Sequence, residues 1–454
     1  MTRQPQTDRR TLLHAAWRLT GRSWLGLRTR AAVLLAGMVL SAAKCDGDRP
    51  IIEEGLNRQA AATLGSEDRA AAAGVPSPDT LHLWRTGPRK PVELYVDLSQ
   101  SMRGFLDEQF STEPARYRNV IAIIDARLAP SPIRGFGSQV RVVGRTAAAT
   151  LDDKGIYTDG NTQMEDVFPL IAADSQLGAS HLIVGDGRRS DPVRANAQYA
   201  RMRQLAADWI ARGGTFAVAA SQAPFTPVAS DPSGCRVQDD ADDATCPLYA
   251  FAFLAPGDEE RVANALAERF QHLFVTPAPA AEERAVTFRA LTQTQEISLE
   301  PAWVERPGLG LVARSRGRVA TMNPLEAEIV LADADAPERR ARTAALAGQE
   351  VRATVHARRL HATPGEAWEP VTGDAQQVIA GKDPFHWRFV SFGPDEERIA
   401  FRIELLTSGM PRWLGGFDAE SANDALRTYG LGRLFQGFAG TGTGPVLRAY
   451  VVAN

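Results

Sequence analysis

The sequence predicts an α/β protein: a doubly wound, mostly parallel sheet followed by a β-rich domain, most simply a sandwich. Three observations predict it. Between Pro91 and Phe274, short continuous apolar runs alternate with amphipathic segments of helical period. That alternation is the pattern of a sheet covered on both faces. A Pro/Ala-rich stretch, Thr276 to Arg284, then interrupts the chain and reads as a linker. Beyond it the helical period fades into short runs with period-two alternation, separated by Gly, Pro and Asp, as in a β-sandwich.

The elements follow in order. Val92 to Val96 is a buried strand. Ala115 to Leu128 has helical spacing through Val120, Ile121, Ile124 and Leu128. "SQVRVVG" reads as the next strand, "TQMEDVFPLIAAD" as a helix and "SHLIVGD" as a third buried strand. "ANAQYARMRQLAADWIARGG" is a long amphipathic helix stopped by Gly213-Gly214, since glycine favours helix C-termini. "TFAVAAS" and "LYAFAFLA" are further strands. "DEERVANALAERFQHLF" is a closing helix with acids in its first turn, where they complement the helix dipole. In the β-rich part, Ser421 to Phe438 reads as a helical insert.

The start of the chain has a different character. Residues 1–30 carry many arginines, and Ala31 to Ala43 is an apolar run bounded by Arg30 and Lys44. It is shorter than the ~20 residues of a comfortable membrane span. It fits the apolar region of an export signal, with a short membrane anchor as the alternative. Cys45 follows at once, and this arrangement resembles a bacterial lipoprotein signal, which implies lipidation at Cys45. The expected organisation is therefore an export signal or anchor (1–45), a polar Ala-rich spacer (46–89), an α/β domain (90–275), a linker (276–284) and a β-rich domain (285–454). The expected location is the periplasm or cell envelope, tethered to the membrane through the N-terminus. The formal net charge of -3 and the scattered arginines give no footprint for nucleic acid.

In an open α/β sheet, ligands bind at the carboxyl edge of the strands. Asp97 stands at the end of the first strand, and Ser99 and Ser101 follow at alternate positions. One carboxylate and two hydroxyls form a hard oxygen set suited to Mg²⁺ or Ca²⁺ and poor for zinc or copper. Asp97-x-Ser99-x-Ser101 resembles the metal-ion-dependent adhesion site of von Willebrand factor type A domains, whose fold is Rossmann-like. The resemblance extends to Thr162 in "DGNT" and to Asp186 in "IVGDG", and covers roughly residues 90–275. It implies Mg²⁺ (or Ca²⁺) bound by Asp97, Ser99, Ser101, Thr162 and Asp186. It also implies a protein partner that offers an acidic side chain to the metal, and recognition in place of catalysis.

Each residue has a plainer reading. Thr162 with Glu165 matches a capping box. Asp186-Gly187 matches a turn. Asp191 lies near Asp186 and could orient a metal-bound water. A phosphohydrolase using Asp97 as nucleophile would need an acid two residues later, where Ser99 stands, and serine supplies no proton-transfer group near neutral pH. The remaining alternative is an envelope scaffold with a vestigial metal site. Cys235 and Cys246, flanking a polar stretch, suit a disulfide in an oxidising compartment. Alkylation under denaturing conditions should label both only after reduction; equal labelling without reductant would remove the bridge.

Overall fold

The computed structural model describes residues 81–281 apart from 85–86, 107–115, 145–152, 190, 227–244 and, beyond them, the elements named below. The expected export segment and most of the spacer lie outside the described residues.

A seven-stranded sheet forms the body, in the order β3-β2-β1-β4-β6-β5-β7. Its strands are β1 (Val92–Asp97), β2 (Ile133–Phe136), β3 (Arg141–Gly144), β4 (Ser180–Gly185), β5 (Thr215–Pro224), β6 (Thr245–Leu254) and β7 (His272–Thr276). The sheet is mixed. β1 lies between β2 and β4 and runs parallel to both. β3 pairs antiparallel with β2, and β6, β5 and β7 extend the other edge through antiparallel pairs. Four of the seven strands (β1, β2, β4 and β5) thus point one way.

Two of these strands are absent from the sequence reading. "IRGF" carries too few apolar residues to register as a strand, yet it pairs with β1 from Leu94↔Ile133 to Asp97↔Phe136. "HLFVT", read as the tail of the closing helix, is β7. The helix stops at Ala267, and Leu273, Phe274 and Val275 satisfy either period over so short a run.

The helices are α1 (Tyr117–Leu128), α2 (Phe168–Ala173), α3 (Pro192–Ala211), α4 (Glu259–Ala267), α5 (Arg340–Ala347) and α6 (Gly432–Phe435). They cover both faces of the sheet. Alternate strand residues sort the core into two layers, because side chains point to opposite faces with period two. Val92, Leu94, Val96, Leu182 and Val184 meet Val120, Ile121 and Ile124 of α1 and Val262 and Leu266 of α4. Tyr95, Ile183, Phe216, Val218 and Phe251 meet Tyr199, Met202 and Trp209 of α3. The Trp209 ring nitrogen donates to the Leu254 carbonyl at 2.9 Å, so the largest core side chain also satisfies its polar atom.

The C-terminal part completes this core. Ala341 and Ala345 of α5 join the first layer. Trp413, Phe417, Leu431, Leu434, Phe435 and Phe438 join the second. Phe435 meets Phe274 edge-on at 5.0 Å and Trp413 at 5.8 Å between ring centres. Of the expected helical insert, only α6 is helical among the described residues. The expected linker is packed: Ala278 and Ala280 are buried, and the Ala280 and Ala281 amides donate to the carbonyls of His82 and Val446. Beyond it lie two larger sheets and a parallel pair of short strands, Asp418–Ala419 and Thr428–Tyr429. Six strands run in the order Val304–Arg306, Gly310–Arg314, Pro445–Val452, Arg398–Pro411, Gln349–Arg359 and Glu369–Pro370. Five run in the order Gln377–Ala380, His386–Phe392, Leu325–Leu331, Glu283–Leu291 and Glu296–Leu299. Gln349 ties the six-stranded sheet to the body, because its side-chain amide donates to the carbonyl of Val275 in β7 at 3.0 Å. Among the described residues no helix is long and apolar enough to cross a membrane.

Phe435→Ala should cost about 3–5 kcal/mol in urea unfolding followed by tryptophan fluorescence. A loss under about 1 kcal/mol would separate the C-terminal insert from the sheet's core.

Candidate metal centre

β1 delivers Asp97 to the carboxyl edge of the sheet, and the chain then turns sharply. The Ser99 amide donates to Asp97 Oδ1 at 2.8 Å, a side-chain-to-backbone turn that aspartate forms readily. A 3-10 turn, Gln100–Leu106, follows, anchored by buried Met102, Phe105 and Leu106. This turn brings the hydroxyls of Ser99 and Ser101 within 2.9 Å of each other. The spacing of two seen in the sequence therefore places both oxygens on one side of the loop.

Thr162 comes from the segment leading to α2, and Asp186 from the residue after β4. Both act on Asp97. Burial, and next the negative charge of Asp186, push the Asp97 carboxyl well above its ordinary value. The Ser99 amide and the hydroxyls of Ser99 and Thr162 pull it back in part. Asp97 is 0% exposed and Asp186 2%. Close approach of β4 to Asp97 depends on Gly185, where a Cβ would lie 2.8 Å from the Asp97 Cβ. The structure thus brings together Asp97, Ser99, Ser101, Thr162 and Asp186 from three separate loops.

The plainer readings sort unevenly. Asp186 does form a turn, since its Oδ1 accepts the Arg188 amide at 2.9 Å. Thr162 is no helix cap. The 3-10 turn after it, Met164–Asp166, starts from Gln163 without a side-chain cap, and α2 starts from Val167 likewise. Glu165, the other half of the expected capping box, pairs with Arg189 instead. Asp191 caps α3, its Oδ1 accepting the Val193 and Arg194 amides. One residue escaped the sequence reading: Asp159, which pairs with Ser99 as an isolated β-bridge. Its only sequence signal was position three residues before Thr162.

Cys246 stands at the start of β6, not in a loop, and it is buried. Cys235 and Cys45 lie outside the described residues.

The cluster fits a hard divalent cation. Asp97 Oδ2 is fully buried with no hydrogen-bond partner, which is costly for a carboxylate oxygen unless something positive meets it. Two acids and three hydroxyls supply oxygen donors only. Among the described residues no group of three or more His, Cys, Asp or Glu side chains is gathered for a metal, so the hydroxyls are essential to any cation held here. Comparison with family models, curated proteins and solved structures finds no match to this chain.

The raised value of Asp97 has a definite sign. A carboxyl whose folded pKa lies above the unfolded ~3.9 contributes stability at acid pH and loses it as pH rises through the folded value. In chelator, the thermal midpoint should therefore fall from about pH 4 towards neutrality. Asp97→Asn should flatten that fall and raise chelated stability at pH 7 by on the order of 1–3 kcal/mol. An unchanged pH profile in Asp97→Asn would show that the buried carboxyl is not its source.

Proposed function

We propose that this chain is a divalent-cation-dependent protein-binding module. Its α/β body is read as a von Willebrand factor type A-like fold, with a metal-ion-dependent adhesion site at Asp97, Ser99, Ser101, Thr162 and Asp186. One observation carries the reading: Asp97 keeps a buried carboxyl oxygen without a hydrogen-bond partner, while the hydroxyls of Ser99 and Thr162 and the charge of Asp186 act on the same carboxyl. Bound Mg²⁺ or Ca²⁺ would act as a Lewis acid towards an acidic side chain of the partner. The chain's own residues do the rest. Asp97 and Asp186 supply the charge that holds the cation. Ser99, Ser101 and Thr162 donate neutral oxygens, so the cation keeps its attraction for an incoming carboxylate. Recognition is favoured over phosphoryl hydrolysis because Ser99 occupies the position where a proton-transferring acid would be needed.

The β-rich C-terminal part is read as a sandwich that buttresses the body. The N-terminal segment is read as an export signal with lipidation of Cys45, which would tether the module at the cell envelope. A Cys235–Cys246 bridge belongs to the same reading.

Wild type should bind Mg²⁺ by calorimetry, and Asp97→Ala should weaken binding at least about 100-fold, more than loss of an outer-shell partner does. Envelope proteins captured by immobilised wild type should be absent with chelator and with Asp97→Ala. Identical captured sets in all three would favour the scaffold reading.

A further inference from the structure

Asp159 lies where the loop after β1, the loop leading to Thr162 and the connection between β2 and β3 meet. Its backbone zips to the loop after β1: its amide donates to the Leu98 carbonyl at 3.2 Å, and its carbonyl accepts the Gln100 amide at 2.9 Å. Ser99, between them, is thereby fixed on both sides. The side chain turns towards the connection between β2 and β3. Ser138 donates its hydroxyl to Asp159 Oδ1 at 3.2 Å, and the Arg141 guanidinium stands 3.9 Å from Oδ2. The carboxyl fits there because residue 137 is glycine. A Cβ at Gly137 would lie 2.2 Å from Asp159 Oδ2. The Gly137 carbonyl in turn accepts the amide of Gln163 at 3.1 Å, the residue next to Thr162. The backbone of Asp159 thus ties the loop of Ser99 to its own loop, which carries Thr162, and its carboxyl holds both against a third loop that carries no ligand.

Such a tie has a consequence for ion choice. Mg²⁺ demands near-ideal octahedral geometry with short bonds, whereas Ca²⁺ accepts longer bonds and irregular arrangements. A cradle with neutral hydroxyl donors holds Mg²⁺ only if those oxygens are already in place, because each hydroxyl contributes little charge to pull itself in. We propose that Asp159 is the positioning residue of this centre, a latch between three loops that gives the site its preference for Mg²⁺ over Ca²⁺. This rests on the metal reading above.

The test is metal binding by calorimetry on the full chain, for both ions, with thermal midpoints in chelator as a control for folding. Asp159→Ala should raise the Mg²⁺ dissociation constant about 10- to 100-fold while changing that of Ca²⁺ less than about 3-fold. Asp159→Asn keeps a side-chain oxygen for Ser138 and should recover Mg²⁺ binding to within about 5-fold of wild type. Ser138→Ala changes an exposed residue and cannot prevent folding; it should shift selectivity the same way by a smaller factor. Equal loss of both ions in Asp159→Ala, or no recovery in Asp159→Asn, would overturn the latch. Wild-type selectivity in both Asp159→Ala and Ser138→Ala would do the same. Wild type that takes up no divalent ion at all would overturn the metal reading itself, and the latch with it.

Discussion

Two carboxyl groups, Asp97 and Asp186, are taken out of water within each other's electrostatic reach. Burial and like charge both oppose ionisation, so this corner of the molecule is a liability unless protons or a cation answer it. The surrounding architecture is arranged around that liability. β1 and β4 are parallel neighbours, so their carboxyl ends stop side by side, and Gly185 removes the Cβ that would keep them apart. Hydroxyls of Ser99 and Thr162 and the Ser99 amide turn towards the acid and ease it in part. They leave Asp97 Oδ2 unmet. A fold that wanted only a tidy strand end would have placed an apolar residue there.

Such a site needs a rigid floor, and the two-layer core supplies it. The strands that end at the centre are covered by α1 and α4 on one face and α3 on the other. Edge strand β7 and its neighbours are covered by segments from far along the chain. Trp413, Phe417 and Phe435 pack against the face that carries Phe274, and the Tyr249 hydroxyl donates to Thr428 at 2.9 Å. The α/β body therefore borrows part of its core from the β-rich region. Linear order gives no hint of this exchange, because the intervening strands belong to other sheets.

Legibility in the sequence followed physical scale. Long periodic elements were readable: α3 through its amphipathic spacing, and β1, β4, β5 and β6 as apolar runs too continuous for half-exposed strands. Short elements were not. β2 holds only four residues, two of them Arg and Gly, and is a strand because β1 offers it a ladder. β7 could satisfy either period, and β5 decided by pairing with it. Strand direction was equally silent: an apolar run reads the same parallel or antiparallel, so the antiparallel edge through β6, β5 and β7 was invisible. At the site, Asp97, Ser99 and Ser101 were legible because they are adjacent. Thr162 and Asp186 were legible only through the resemblance. Asp159 gave no signal, because its role comes from a backbone bridge and a contact with Ser138 across the loops.

By itself the sequence determined the alternation of strands and helices, the β-rich second half and the set of hard oxygen donors available at one strand end. These are local properties, carried by period and by residue type. Only the tertiary structure decided which donors meet. The loops of Asp97 and Asp186 converge because parallel strands end at one edge, the loop of Thr162 joins them through the Asp159–Ser99 bridge, and the charge of one buried acid raises the pKa of the other. The sheet's completion by a distant segment was decided at the same level, since burial of Phe274 requires a partner that no local pattern names.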